Sequence, residues 1–157
     1  MANPANAPTV PTPADMTAMF DNFVTWFNGA QLDKLAGIVA PQATFSHIYG
    51  DNHQRNAMDF FSNYMTQDVP GPQISSTGGR QSAGYSVFGN GQWTDKTHTK
   101  NHDHDPVFFV FTFAVSPADQ SLWIIEMSAR LKRQGHGLVV TTEDLPRDAK
   151  INIFINA

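Results

Sequence analysis

Nine consecutive residues, Val107 to Val115, carry a single polar side chain, Thr112. Four of the nine are phenylalanine and three are valine, residues that favour a pleated strand. Apolar and polar positions do not alternate, so neither face of such a strand can meet water, and it must lie at the centre of a sheet covered on both sides. At a free edge it would invite aggregation. Pro106 and Pro117 bound the run, which is far too short to span a bilayer.

A chain of 157 residues and 17.3 kDa is long enough to build one core around that strand without staples. Cysteine is absent, which excludes disulfides, thiolate metal centres and cysteine nucleophiles. Ten basic against fourteen acidic residues give a net charge of -4 without long runs of either sign, which disfavours nucleic acid and anionic membrane as partners. The first residues lack the charged-then-apolar order of a signal peptide, and a cytoplasmic protein is expected. Charged residues make up 15% of the chain where about 25% is usual, so part of the surface is expected to be covered in a homodimer.

Met1 to Thr12 is small, uncharged and proline-rich and reads as a disordered tail, leaving 13–157 as a single domain. Thr12-Pro13-Ala14-Asp15 has the form of a capping box with proline at the first helical position. Met16, Met19, Phe20, Phe23, Val24 and Phe27 then recur at helical spacing up to a stop at Gly29. A second short helix follows through Leu32, Leu35, Ala36 and Val39, ending before Pro41, and Thr44 to Tyr49 reads as a strand. Ala57, Met58, Phe61, Tyr64 and Met65 predict a third helix from about His53 to Thr66. Strand character begins at Arg80. Gly89-Asn90-Gly91 reads as a hairpin turn, with Trp93 opening the return strand. Leu122 to Arg133, Leu138 to Thr142 and Ile151 to Ile155 complete a run of strands.

Helix, helix, strand, helix and then a run of strands resembles the nuclear-transport-factor-2-like superfamily, which includes ketosteroid isomerase and the SnoaL-like polyketide cyclases. The local match runs from Phe27-Asn28-Gly29-Ala30-Gln31-Leu32-Asp33 to Ala43-Thr44-Phe45-Ser46-His47-Ile48-Tyr49-Gly50. The resemblance implies an α+β fold in which a cone-shaped, curved mixed sheet wraps around three N-terminal helices. It also implies a pocket for a small hydrophobic molecule and a dimer through the outer sheet face. His47 falls where isomerase-like members place the proton-moving carboxylate, a role that histidine can fill near neutrality. The superfamily's phenolic donor falls near Phe23, which has no hydroxyl, and its second acid has no counterpart in Val107 to Val115.

On the Thr44 to Tyr49 strand, alternation puts Phe45, His47 and Tyr49 on one face and Thr44, Ser46 and Ile48 on the other. His47 is the candidate acid/base, with Tyr49, His98 or His102 as donor to a developing oxyanion. Candidate pocket walls are Phe23, Trp26, Phe60, Phe61, Tyr64, Trp93, Phe111 and Met127, all apolar or aromatic. In an extended chain His98, His102 and His104 would share one side and, with His136, could ligate a metal. They sit in a polar connection without carboxylates on rigid elements to orient the imidazoles, so no metal and no cofactor are expected. Glu126, Ser128 and Arg130 share a face opposite Trp123, Ile125, Met127, Ala129 and Leu131. There is no phosphate loop, nucleophile elbow or paired catalytic carboxylates. The expected function is therefore a cofactor-independent isomerase, cyclase or dehydratase for a small hydrophobic carbonyl-bearing metabolite. The alternatives are a non-catalytic binding or oligomerisation module of the same fold and a His-ligated metal enzyme.

Overall fold

The computed structural model describes residues 10–46, 54–65, 73–95 and 102–131. Thr12 opens α1 (Pro13–Asn28), its Oγ1 accepting the Asp15 N–H at 3.1 Å, and the Gly29 N–H closes the helix on the Thr25 carbonyl. Met16, Phe20, Phe23 and Phe27, spaced four, three and four apart, make its buried stripe. The second helix is shorter than expected. α2 (Leu32–Leu35) ends before Gly37, and Val39 and Ala40 belong to β1 (Val39–Ser46). β-branched Val39 is taken up by the sheet, where it pairs with Ile124, and the Ile38 carbonyl accepts the Ile124 N–H at 2.8 Å.

The third helix also starts late. Gln54–Asn56 forms β2, antiparallel to β1, before α3 (Ala57–Met65). Asn56 sets the switch: its Oδ1 accepts the Asp59 N–H at 3.0 Å, as a helix cap does, while its Nδ2 donates to the Pro41 carbonyl at 2.7 Å. The remaining strands are β3 (Gln73–Ala83), β4 (Ser86–Asp95), β5 (His102–Val115) and β6 (Leu122–Leu131). β3 therefore begins seven residues before Arg80. The stretches expected as strands at Leu138 to Thr142 and Ile151 to Ile155 lie outside the described residues.

The strands form one sheet in the order β2-β1-β6-β5-β4-β3, with β1 parallel to β6 and the other neighbours antiparallel. The Val107 to Val115 stretch is central, as its composition required, and both of its faces are buried. Phe109 and Phe111 face the helices. Phe20 stacks on Phe109 at 4.7 Å and meets Phe111 edge-on at 5.0 Å, while Phe23 meets Phe111 at 4.9 Å. Such ring pairs add about 0.5–1.5 kcal/mol each beyond the area they bury. The sheet is curved enough for Phe45 of β1 to come within 6.2 Å of Trp93 on β4, three strands away. Among the described residues no helix is long and apolar enough to cross a membrane.

Two expectations about the strands are corrected. Gly89-Asn90-Gly91 is not a turn but the middle of β4; the chain reverses at Gly84 (φ 57) and Tyr85, between Ala83 and Ser86. The glycines are needed for space. A Cβ on Gly91 would run into the Ser75 carbonyl oxygen and approach Phe109 Cδ1 to 3.2 Å, and one on Gly89 would meet the Gly79 carbonyl oxygen at 2.8 Å. On β6 the register opposite β5 shifts between Thr112 and Phe113, which pair with Glu126 and Ile124. Ile125 is the extra residue of a bulge, so the alternation expected for Trp123, Ile125 and Met127 breaks there, and Ile124 joins the core face with Met127 and Ala129.

Candidate functional site

The inner side of the sheet becomes polar at one end. β1 runs parallel to β6, and β5 runs antiparallel to both β4 and β6. The last residues of β1 and β4 and the first of β5 therefore lie toward the same end of the sheet. There β5 is bulged: Trp93 pairs with Asp105 and Asp95 with His102, leaving Asp103 and His104 opposite Thr94 alone. His104 takes φ 53, and its N–H is held by the Thr94 hydroxyl at 3.0 Å. The bulge puts an extra residue between His102 and Asp105, so strict alternation does not run through this stretch; the His102 side chain lies outside the described residues.

Trp93 stands at this end among Phe27 at 5.7 Å and Phe45 at 6.2 Å, with Phe61 packed on both of those phenylalanines. It is 2% exposed, and its Nε1 is buried with no hydrogen-bond partner among the described residues. An unsatisfied buried donor costs on the order of 1–3 kcal/mol. The polar groups beside it are committed elsewhere. Asn28 donates from Nδ2 to the Ile74 carbonyl and accepts the Ile74 N–H on Oδ1, both at 2.8 Å, while Gln73 Nε2 donates to the Asn28 carbonyl. Directly paired with Trp93 across the ladder is half-buried Asp105, in phase with Val107, Phe109 and Phe111 on the inner side.

Of the expected pocket walls, Phe23, Phe61, Trp93, Phe111 and Met127 are all buried in one cluster on the inner side. Trp26 is turned toward α2, where Lys34 Nζ lies 5.8 Å from its ring. Tyr64 is carried by α3, and His102 opens β5. His47, Tyr49 and His98 lie outside the described residues. The face of β1 on which His47 and Tyr49 were expected is represented by Phe45, which is buried against Phe60 at 5.2 Å and Phe61 at 5.5 Å; Thr44 and Ser46 are half-buried on the other side. Asp105 was missed as an inward-facing residue. Its odd-numbered phase with Val107 was visible, but Pro106 concealed that the strand continues through it. Among the described residues no group of three histidine or acidic side chains could hold a metal ion.

No family model and no curated protein matches the sequence. Solved structures do match, and they show the fold to be nuclear-transport-factor-2-like, also called cystatin-like. One is a candidate calcium/calmodulin-dependent protein kinase II association domain from Xanthomonas campestris, with 16% identity, a TM-score of 0.58, and 85% of this chain and 94% of that one covered. A second is a candidate ketosteroid isomerase from Kribbella flavida, with 13% identity, a TM-score of 0.54 and coverage of 85% and 90%. The third is the beta subunit of benzoate 1,2-dioxygenase from Burkholderia mallei, with 14% identity, a TM-score of 0.54 and coverage of 79% and 93%. One fold thus serves isomerases, dioxygenase subunits and association domains.

Proposed function

We propose that the chain is a cofactor-independent acid/base enzyme of the ketosteroid isomerase or SnoaL-like kind, acting on a small hydrophobic carbonyl-bearing molecule. The observation that supports it best is the polar end of an otherwise aromatic inner face, where Trp93 and Asp105 sit side by side next to the end of β1. In this reading the acid/base group is His47, the residue that follows the last residue of β1 in the chain. His47 takes the proton from the carbon next to the carbonyl, the C–H electron pair becomes the new C=C bond, and the carbonyl oxygen gains the negative charge. Tyr49, His98 or His102 donates a hydrogen bond to that oxygen. Return of the proton to another carbon gives isomerisation. Attack of the enolate on a second carbonyl closes a ring, and loss of a β-hydroxyl as water gives dehydration.

A second reading, a non-catalytic binding or association module, is favoured by one observation. Phe23, near the superfamily's phenol position, is buried against Phe27, Phe61 and Phe111. Either reading is compatible with a homodimer through the outer face of the sheet, which we also propose. Deuterium uptake from D2O into the methyl group of 2-acetylnaphthalene separates the two without a known substrate. The enzyme reading expects exchange above the buffer rate, lowered roughly 10²- to 10⁴-fold in His47→Ala with the fold intact. Exchange at the buffer rate with bound ketone supports the module, and full exchange in His47→Ala removes the histidine from the mechanism.

A further inference from the structure

We infer that the Trp93 indole N–H is the group that fixes the oxygen of a bound molecule, which makes the preferred ligand a flat, apolar ring system bearing a neutral carbonyl or phenol oxygen. This rests on the small-molecule reading and adds to it a second donor, beside the one proposed from Tyr49, His98 or His102, and the ligand class. Two half- to fully buried tryptophans make the contrast. Trp123 Nε1 donates to Ser121 Oγ at 2.7 Å, so at the opposite end of the sheet the fold does supply an indole with a partner, two residues away in the chain. Trp93, more deeply buried, has none among the described residues. Phenylalanine at 93 would pack against Phe27 and Phe45 without burying a polar atom, so the N–H is a liability unless something accepts from it.

The chemistry of the surroundings defines that acceptor. Rings from α1 and β1 lie beside the indole, with Phe61 of α3 packed on both, and they favour a flat apolar body over a sugar or a phosphate. A neutral N–H donates one bond and carries no charge, so it suits a ketone, enone or phenol oxygen. Asp105, paired with Trp93 across the ladder, adds an acceptor that disfavours an anionic ligand head at this end. Hydrogen-bonding to an oxygen also discriminates. A site holding a donor loses affinity for the analogue that lacks the acceptor, because the donor is then left unpaired.

The test compares 2-acetylnaphthalene with 2-ethylnaphthalene, which has the same shape and no acceptor. Both are titrated into ¹⁵N-labelled protein while the three indole N–H resonances, assigned with Trp26→Phe, Trp93→Phe and Trp123→Phe, are followed. The ketone is expected to move the Trp93 resonance downfield and the hydrocarbon is not. Trp93→Phe is expected to bind the ketone roughly 2- to 10-fold more weakly and the hydrocarbon unchanged. The resonance shift in unmodified protein stands even where a variant folds poorly. If both probes bind with the Trp93 resonance unmoved, or lose affinity equally in Trp93→Phe, the donor assignment fails while the small-molecule reading survives, and an internal water is the partner. If neither probe binds, both fall together.

Discussion

Asp119 accepts the Ser121 hydroxyl at 2.6 Å and the Ser121 N–H at 3.1 Å in the β5–β6 connection, and the same hydroxyl receives the Trp123 indole N–H. The side-chain bond from Ser121, followed by the backbone bond, holds the Asp119 carboxyl below its ordinary value of 3.8. A carboxylate whose folded-state pKa is lowered stabilises the fold above its unfolded value, and that contribution is lost as pH falls through the folded value. Asp119→Ala is therefore expected to melt below the unmodified protein near neutrality, with the two melting temperatures converging as pH drops below about 3.8. A gap unchanged at about pH 2 would show that Asp119 acts through shape rather than charge. Roles of this local kind were only partly legible. The Thr12 cap and the Gly29 stop follow from neighbours in the chain, whereas the orphaned indole of Trp93 depends on what the rest of the fold places beside it.

β4 illustrates how an element can be misread from a strong local signal. Gly-Asn-Gly is a favoured hairpin turn because it tolerates positive φ, but here the glycines make room: Phe109 lies across β4 at Gly89 and Gly91, with β3 backbone on the other side. Gly91→Ala is expected to destabilise the protein by about 1–3 kcal/mol, read as a lower chemical-denaturation midpoint with an unchanged slope. Gly84→Asn, at the true turn with open space around it, is expected to be nearly neutral because asparagine tolerates positive φ. Equal losses at the two positions would refute the close-packing account. Helix existence was legible from 3.6-residue periodicity and the central strand from its composition. Boundaries and bulges were not, because Val39, Gln54 and Ile125 are placed by pairing partners far away in the sequence.

For the whole molecule, the proposed homodimer is the open assignment with the plainest measurement. On the outer side of the sheet Phe88 and Phe108 approach to 6.2 Å, each half-buried, beside the polar positions Thr44, Glu126 and Ser128. Sedimentation at micromolar concentration is expected to give a dimer, and Phe108→Asp a folded monomer, since a charge at a dry interface cannot be solvated. A monomer at every accessible concentration would return this face to solvent. The sequence by itself determined that a sheet must close around Val107 to Val115 and that α1 must lay Met16, Phe20, Phe23 and Phe27 on it, because apolar side chains at fixed periods have nowhere else to go. Only the tertiary structure decided which groups share the polar end of the inner face. Trp93 and Asp105 are twelve residues apart in the chain, and it is the antiparallel register of β4 and β5, set by packing and by the bulge at His104, that brings them together.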